Sequence, residues 1–240
     1  MTMVALGSIK GAPGVTTTAL ALASAWPATR AVVVAEVDPD GGVLAARREL
    51  GLEPGLATLA AALRRGSGDV SPHTQPVGNG VRAIVTPPSG EQTRTALAVA
   101  GERLWHALDT LADDVLVDCG RLTAASPVIG VARRAAVTLA MARPRLDDVA
   151  LLRERVPALR REGVEPHVLL ASGGPYASDE VAAAVQAPVI AVLPVDRRTA
   201  IALNQPSGRR LSSRSPLMRT ARQLASTLLT HAAATTQVRV

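Results

Sequence analysis

Residues 7–18 read GSIKGAPGVTTT and join an apolar run at residues 4–9 to an Ala- and Leu-rich segment at residues 16–26. The apolar run predicts a buried β-strand, and the segment after it predicts a helix that ends at Pro27. A glycine-containing turn between a strand and a helix directs backbone N–H groups and the positive end of the helix dipole at one point. The stretch therefore predicts an anion site that suits a phosphate group.

The same stretch meets the phosphate-loop pattern G-x-x-x-x-G-K-[ST] only in part. Aligned on Gly14, it has Ile9 at the first glycine position and Val15 at the lysine position. Thr16 fills the Ser/Thr position, whose hydroxyl ligates Mg²⁺ in such loops. The alternative is an ordinary strand–turn–helix in which Lys10 is solvated.

Two further apolar runs end in carboxylates. Residues 31–35 precede Glu36 and Asp38, and residues 115–117 precede Asp118. In a parallel sheet the functional site lies beyond the carboxyl ends of the strands, where a carboxylate can hold water or Mg²⁺ near a phosphate. The alternatives are a solvated Asp-Pro turn at Asp38 and a helix-capping role for Asp118.

The rest of the chain alternates short apolar runs with helical patterns. Further strands are predicted at residues 81–85, 136–141, 167–171 and 189–193. Helices are predicted at residues 43–50, 56–65 and 91–112, and a loop at residues 66–80. Unbroken apolar runs between helices predict one α/β domain, doubly wound around a mostly parallel sheet with helices on both faces. We expect this domain, similar to phosphate-loop NTPases, over residues 1–231 and a short C-terminal tail over residues 232–240.

Composition excludes several classes of protein. With 48% hydrophobic and 19% charged residues, the chain can bury a core and is not a disordered segment. The single cysteine, Cys119, excludes a disulfide framework and a metal site built from several thiolates of one chain. Two tryptophans and one tyrosine provide no stacking platform for single-stranded nucleic acid. No apolar run is as long as a membrane span, and the N-terminus lacks a basic signal region, so a cytoplasmic protein is expected.

The positive charge is concentrated near the C-terminus. Only Lys10 among the 26 basic residues is a lysine, so 25 are arginines, and the net charge is +6. Residues 197–240 carry eight arginines and no acidic residue, a formal charge of +8, so residues 1–196 carry a net charge of −2. Seven of them form the predicted patch for DNA or a partner: Arg197, Arg198, Arg209, Arg210, Arg214, Arg219 and Arg222. Such a patch binds nucleic acid through phosphates or contacts an acidic partner; the alternative is a solvated face.

Taken in order, these motifs resemble the ParA/MinD family of deviant phosphate-loop ATPases. Residues 10–17 are similar to the family loop K-G-G-x-G-K-[ST]-T, with its early signature lysine, two glycines and two threonines. Asp38 resembles the aspartate before proline in the family switch D-x-D-P-x-G, with Glu36 in place of the first aspartate, and Asp118 resembles the Walker B aspartate. Val15 replaces the second lysine, as in the CpaE/TadZ branch.

The resemblance implies ATP or ADP with Mg²⁺ as cofactors and assigns roles to individual residues. The nucleotide-binding residues it implies are Lys10, Gly11, Ala12, Gly14, Val15, Thr16, Thr17, Pro194 and Asp196. It implies a Mg²⁺ site at Thr16, Asp38 and Asp118, and catalytic roles for Asp38 and Lys10. Pro194 and Asp196 would flank the adenine, although the asparagine that the family carries at the end of the preceding strand is replaced here by residues 171–173.

By the same resemblance, the chain is expected to be a nucleotide-dependent homodimer that positions cargo with weak or absent ATP hydrolysis. The cargo would be DNA or a secretion, pilus or conjugation assembly, reached at the nucleoid or at a membrane complex without a transmembrane segment of the chain. Three alternatives remain open: an active partition ATPase that binds DNA non-specifically, a scaffold that binds no nucleotide, and a ligase on the same fold, against which Val15 counts. An apolar stripe on residues 217–229 is expected to be a core helix; the alternative is a membrane anchor.

Overall fold

The computed structural model describes residues 1–11, 14–171, 173–206 and 211–238. Within these residues there are eight strands: β1 (Met3–Ser8), β2 (Val32–Glu36), β3 (Gln75–Gly78), β4 (Val81–Ile84), β5 (Asp114–Arg121), β6 (Val137–Ala142), β7 (Pro166–Ala171) and β8 (Val189–Leu193). The α-helices are α1 (Val15–Ala25), α2 (Leu44–Arg48), α3 (Leu56–Arg64), α4 (Gly90–Ala100), α5 (Glu102–Asp109), α6 (Ile129–Arg134), α7 (Leu146–Arg161), α8 (Ser178–Val185), α9 (Arg197–Asn204) and α10 (Pro216–Val238). A 3₁₀ turn lies at Ser71–His73.

The eight strands form one sheet in the order β3-β4-β2-β5-β1-β6-β7-β8. Every neighbouring pair is parallel except β3 with β4, which is antiparallel. The first strand lies in the middle, and the chain places β2 and β5 on one side of it and β6 on the other. The mostly parallel, doubly wound sheet is therefore confirmed, and its switch point is at the carboxyl end of β1, where such sheets bind ligands.

Both faces of the sheet are covered by helices. Alternate residues of a strand point to opposite faces, and on β1 this separates Val4 and Leu6 from Met3 and Ala5. The first pair packs in a core with α1, α2, α9 and α10. The second pair packs with α3, α4, α5 and α6, and a third cluster joins α7 and α8 to the neighbouring strands. The prediction of helices on both faces is confirmed.

Two local predictions are wrong. The helix expected over residues 91–112 is two helices, because Gly101 adopts a left-handed φ of 54° that interrupts the α-helical backbone between α4 and α5. The loop expected over residues 66–80 contains β3, a short edge strand. Pro76 and Gly78 within this strand hide the apolar alternation, and proline is tolerated there because an edge strand has unpaired backbone groups.

The C-terminal boundary also differs from the prediction. Helix α10 continues without interruption from Pro216 to Val238, so residues 232–238 belong to the last helix and do not form a separate tail. Leu217, Leu224 and Leu228 are buried in the core beside α1, which confirms the core-helix interpretation of the apolar stripe and excludes a membrane anchor built from it. None of the helices in the described ranges is long and apolar enough to cross a membrane.

Candidate functional site

The segment between β1 and α1 turns sharply at glycines. Gly11 and Gly14 adopt left-handed φ values of 78° and 89°, and Ser8 Oγ accepts a hydrogen bond from the Gly11 N–H at 3.2 Å. The Gly14 carbonyl accepts from the Thr18 N–H at 2.9 Å, which begins α1. The helix N-terminus therefore lies at the carboxyl end of β1, as an anion site requires. Ala12, the remaining predicted phosphate-binding residue of this loop, lies outside the described residues.

The three predicted metal ligands meet beside this loop. Thr16 Oγ1 donates to Asp118 Oδ2 at 2.6 Å, and the Gly120 N–H donates to Asp118 Oδ1 at 3.0 Å. The Asp38 carboxyl group lies against the other side of Gly120, since a Cβ placed on that glycine would be 2.0 Å from Asp38 Cγ. Strands β1, β2 and β5 thus bring a hydroxyl group and two carboxyl groups together at their carboxyl ends.

Electrostatics at this point favour a bound cation. Asp118 is buried, and burial, together with a smaller effect of the nearby charge of Asp38, raises its pKa to about 6. Burial also raises the pKa of Asp38. Two carboxylates that are desolvated and repel one another are stabilised by a cation between them. Mg²⁺ is commonly held by one or two carboxylates together with substrate phosphates, so the residues present fit this ion.

A cleft of ≈ 370 Å³ contains most of the predicted site. Its described lining includes the predicted residues Gly11, Gly14, Val15, Thr16, Thr17, Asp38 and Asp118. Two basic side chains that the sequence interpretation missed, Arg47 and Arg121, line the same cleft. The cleft therefore combines a glycine turn, a helix N-terminus, two carboxyl groups and two guanidinium groups, a combination that suits a polyphosphate with a divalent cation.

Glu36 has a structural role that was not expected. Its carboxyl group is buried and accepts hydrogen bonds from the N–H groups of Val43, Leu44 and Thr86 at 2.7, 3.0 and 3.0 Å. Burial raises its pKa to about 7, and these backbone hydrogen bonds act in the opposite direction. A Cβ on Gly42 would lie 2.4 Å from Glu36 Oε2, so only glycine fits there. Glu36 thus fixes the path of the segment that carries Asp38.

Lys10 does not point into the cleft of its own chain. Its Nζ lies 2.5 Å from Asp147 Oδ2 in the first turn of α7, and this hydrogen bond raises the pKa of Lys10. Both side chains remain about half exposed, at 52% and 58%. Lys10 is not among the residues that line the described part of the cleft. The only lysine of the chain is thus held at the rim of the sheet, away from Thr16.

Pro194 and Asp196 lie at the N-terminus of α9, and neither lines the phosphate-loop cleft. Asp196 caps this helix, because its carboxyl group accepts from the Thr199 N–H at 3.0 Å and from the Thr199 hydroxyl at 2.8 Å. Burial opposes the charge of Asp196, but these hydrogen bonds outweigh it and lower the pKa. The structure therefore gives Asp196 a capping role, and a contact with the base stays a prediction.

The opposite end of α9 does reach the phosphate loop. Asn204 Nδ2 donates to Thr17 Oγ1 at 2.8 Å, and Asn204 Oδ1 accepts from Arg47 at 2.8 Å. This bridge from Arg47 through Asn204 to Thr17 joins α2, α9 and α1. Sequence reasoning missed it because 157 residues separate Arg47 from Asn204 and no local pattern connects them.

Five arginines of the predicted C-terminal patch lie on the surface: Arg197, Arg198, Arg214, Arg219 and Arg222. None of the five forms an ion pair with another residue in the described ranges. Arg198 and Arg214 line a second cavity, of ≈ 500 Å³, beside the N-terminus of α10. The other two predicted members, Arg209 and Arg210, lie outside the described residues. The patch is a surface on which positive charge faces solvent.

Comparison with solved structures identifies the architecture, whereas no family model and no curated protein matches the sequence. A ParA family ATPase from Chlorobium tepidum TLS superimposes with a TM-score of 0.75 at 18% identity, covering 94% of this chain and 97% of that chain. The fold is that of the ParA/MinD ATPases.

Two further relatives agree with this architecture. The septum site-determining protein MinD from Pyrococcus horikoshii OT3, complexed with Mg-ADP, superimposes with a TM-score of 0.75 at 16% identity, covering 98% of each chain. Apo McdA from Cyanothece superimposes with a TM-score of 0.71 at 19% identity, covering 95% of this chain and 99% of that chain. At these identities the likeness establishes the ParA/MinD fold, and function has to be argued from the cleft.

Proposed function

We propose that this chain is a ParA/MinD-like nucleotide switch that binds ATP or ADP with Mg²⁺, forms a nucleotide-promoted homodimer and positions a cargo. The observation that carries the proposal is the meeting of Thr16, Asp118 and Asp38 beside the glycine turn that begins α1. The similar MinD structure is complexed with Mg-ADP, which supports this choice of cofactors.

The described residues divide the work of holding such a ligand. Backbone N–H groups at the start of α1 and the dipole of this helix favour phosphate oxygens. Thr16 Oγ1, which is hydrogen-bonded to Asp118 Oδ2, and the carboxyl group of Asp38 would provide oxygen ligands for Mg²⁺. A bound Mg²⁺ ion would neutralise negative charge on the phosphates. Asp38 would also orient a water molecule, since its carboxyl group is at the end of β2 and lines the cleft.

Weak hydrolysis follows from the residue at position 15. Val15 begins α1 with its side chain between the core and the cleft, and an isopropyl group offers no charge to phosphate. A charge-assisted contact contributes about 1.5–3 kcal/mol, so a micromolar nucleotide site becomes one of about 10–100 µM without it. Turnover suffers more than binding, because the lost cation also stabilises charge that develops on the transferring phosphoryl group.

Val15→Lys is expected to bind Mg-ATP about 10–100-fold more tightly than the wild type and to gain ATP turnover. The added ammonium group can extend into the cleft that Val15 already lines. Isothermal titration and a phosphate-release assay would measure both effects. Ala28→Lys adds the same charge at an exposed position beyond the far end of α1 and serves as the control. Wild-type turnover as fast as that of Val15→Lys would contradict the proposal, and absence of nucleotide binding would favour a scaffold.

Lys10→Ala is expected to weaken ATP-dependent dimerisation by at least about tenfold, because we propose that Lys10, like the signature lysine of the ParA/MinD family that it resembles, crosses the homodimer interface to the phosphates of the partner. Sedimentation velocity with Mg-ATP would measure the dimer. Asp147→Asn is the matched control, since it removes the ion pair of Lys10 but keeps the lysine. Dimerisation should persist in this control. Unchanged ATP affinity and unchanged dimerisation in Lys10→Ala would show that the lysine has no role across the interface.

The exposed arginines on α9 and α10 support a polyanionic cargo or an acidic partner surface. A localising factor would recruit a component of a membrane machine without turnover, whereas a partition ATPase would retain DNA at the nucleoid in a salt-dependent way and hydrolyse ATP. The residue at position 15 favours the localising factor. Retention of non-specific DNA that is lost as salt rises, together with turnover, would favour the partition ATPase.

A further inference from the structure

Two basic side chains face the phosphate-loop cleft from outside the loop itself. Arg47 comes from α2 and Arg121 from the end of β5, and no other lysine or arginine lines the described part of the cleft. The same cleft is lined by the carboxyl groups of Asp38, Asp40 and Asp118. Within one chain, the described positive partners for a phosphate in this cleft are these two guanidinium groups and the helix N-terminus, together with any bound cation.

The position of Arg121 follows from the sheet. Strand β5 runs parallel to β1, and Arg121 is paired with Ser8, the last residue of β1. Arg121 therefore leaves the sheet beside the point where the phosphate loop begins. Its guanidinium Nη2 lies 3.2 Å from the position that a Cβ on Gly11 would occupy. The charged group thus lies directly against the backbone of the loop.

Arg121 is the better placed of the two arginines to bind a ligand. Arg47 is held by Asn204 at 2.8 Å, whereas Arg121 is exposed and forms no hydrogen bond or ion pair with any residue in the described ranges. Its side chain also lines the cleft that contains the Asp38 carboxyl group. Among the residues that the structure describes, none accepts a hydrogen bond from the five guanidinium N–H groups of Arg121.

On the basis of the proposed function, we propose that Arg121 binds the phosphate oxygens of a nucleoside di- or triphosphate in this cleft and so supplies the positive charge that Val15 lacks. Both side chains line the same cleft, so a cation missing from the loop is restored from the neighbouring strand. A guanidinium group suits this task, because its planar fork can donate two parallel hydrogen bonds to phosphate. Arg121 is then a binding residue that stands three positions after the Walker B aspartate.

The test is the dissociation constant of Mg-ATP, measured by isothermal titration on the full chain. Arg121→Ala is expected to weaken binding about 10–100-fold, and Arg121→Lys, which keeps the charge but loses the fork, by less than about tenfold. Arg161→Ala is the control, since Arg161 is exposed at the end of α7, at the opposite edge of the sheet. Wild-type affinity in Arg121→Ala would overturn the inference alone, whereas a wild type that binds no nucleotide would overturn the proposed function with it.

A second comparison tests whether Arg121 supplies the positive charge that position 15 lacks. In the Val15→Lys background, the loss of affinity on Arg121→Ala is expected to shrink to less than about threefold, because the new lysine supplies the charge. An equally large loss of affinity in both backgrounds would show that positions 15 and 121 act independently. It would overturn the inference that Arg121 takes the place of the missing lysine. Circular dichroism on each variant confirms that the chain is folded.

Discussion

Asp114→Ala is expected to lower the free energy of unfolding by about 2–5 kcal/mol, because it leaves the buried N–H donors of Thr2 and Trp26 without an acceptor and removes the buried carboxylate that pairs with the partly exposed Arg30. The Asp114 carboxyl group is 1% exposed and accepts two hydrogen bonds from Arg30, at 2.5 and 2.6 Å. It also accepts from the indole N–H of Trp26 at 2.8 Å and from the Thr2 N–H at 2.6 Å. Burial opposes this charge, yet the hydrogen bonds outweigh it and lower the pKa of Asp114.

Glu165→Ala is the matched control for Asp114→Ala. Glu165 also pairs with one arginine through both oxygens, but the ion pair with Arg160 lies on the surface. Exposed pairs contribute at most about 1 kcal/mol, so this control should lose far less stability. Urea unfolding followed by circular dichroism would measure both variants. Equal losses would contradict the prediction and would mean that burial of Asp114 adds nothing.

The strands of this sheet were largely predictable because a parallel strand covered on both faces reads as an unbroken apolar run. The run at residues 189–193 coincides with β8, and the run at residues 4–9 differs from β1 by one residue at each end. The edge strand β3 was missed because Pro76 and Gly78 interrupt its short apolar pattern. The unbroken apolar run made the signal strong, even at the partly exposed edge strand β8.

The error at residues 91–112 has a different origin. The apolar spacing of residues 96, 97, 100, 104, 108 and 111 predicts one buried face that continues across Gly101, and Leu104 and Leu108 on this face are buried. The spacing reports which side chains face the core, whereas the backbone changes direction through the left-handed φ of one glycine. A period in the sequence therefore identified the buried face correctly and the continuity of the helix incorrectly.

Sequence reasoning placed candidate residues of the site near one another where each follows a strand, whereas their roles stay predictions. Thr16, Asp38 and Asp118 lie close to the carboxyl ends of β1, β2 and β5, and parallel strands bring those ends to one edge. The contacts of Lys10 and Arg121 could not be found in this way. Asp147 is 137 residues from Lys10, and Arg121 is one arginine among 25 in a chain that uses this residue throughout.

Gly120→Ala is expected to weaken Mg-dependent ATP binding by at least about tenfold, because it displaces the Asp38 carboxyl group from the cleft. Gly120 separates the two carboxyl groups of the site: its N–H donates to Asp118, and the Asp38 carboxyl group fills the space where a side chain would begin. An alanine Cβ would lie 2.0–2.3 Å from three atoms of Asp38, and the left-handed φ of 59° adds strain of about 1–2 kcal/mol.

Gly163→Ala is the control that separates the steric clash caused by Gly120→Ala from the backbone strain. Gly163 has a left-handed φ of 76°, and nothing lies within 4 Å of its Cβ position, so the variant carries the backbone strain without the steric clash. We expect Gly163→Ala to lose about 1–2 kcal/mol of stability and to keep the wild-type affinity for Mg-ATP. Titration of ATP with and without Mg²⁺ would compare the two variants. Because only Gly120→Ala moves Asp38, a loss of affinity common to both would attribute the effect to destabilisation, and a loss confined to Gly120→Ala would place Asp38 at the metal.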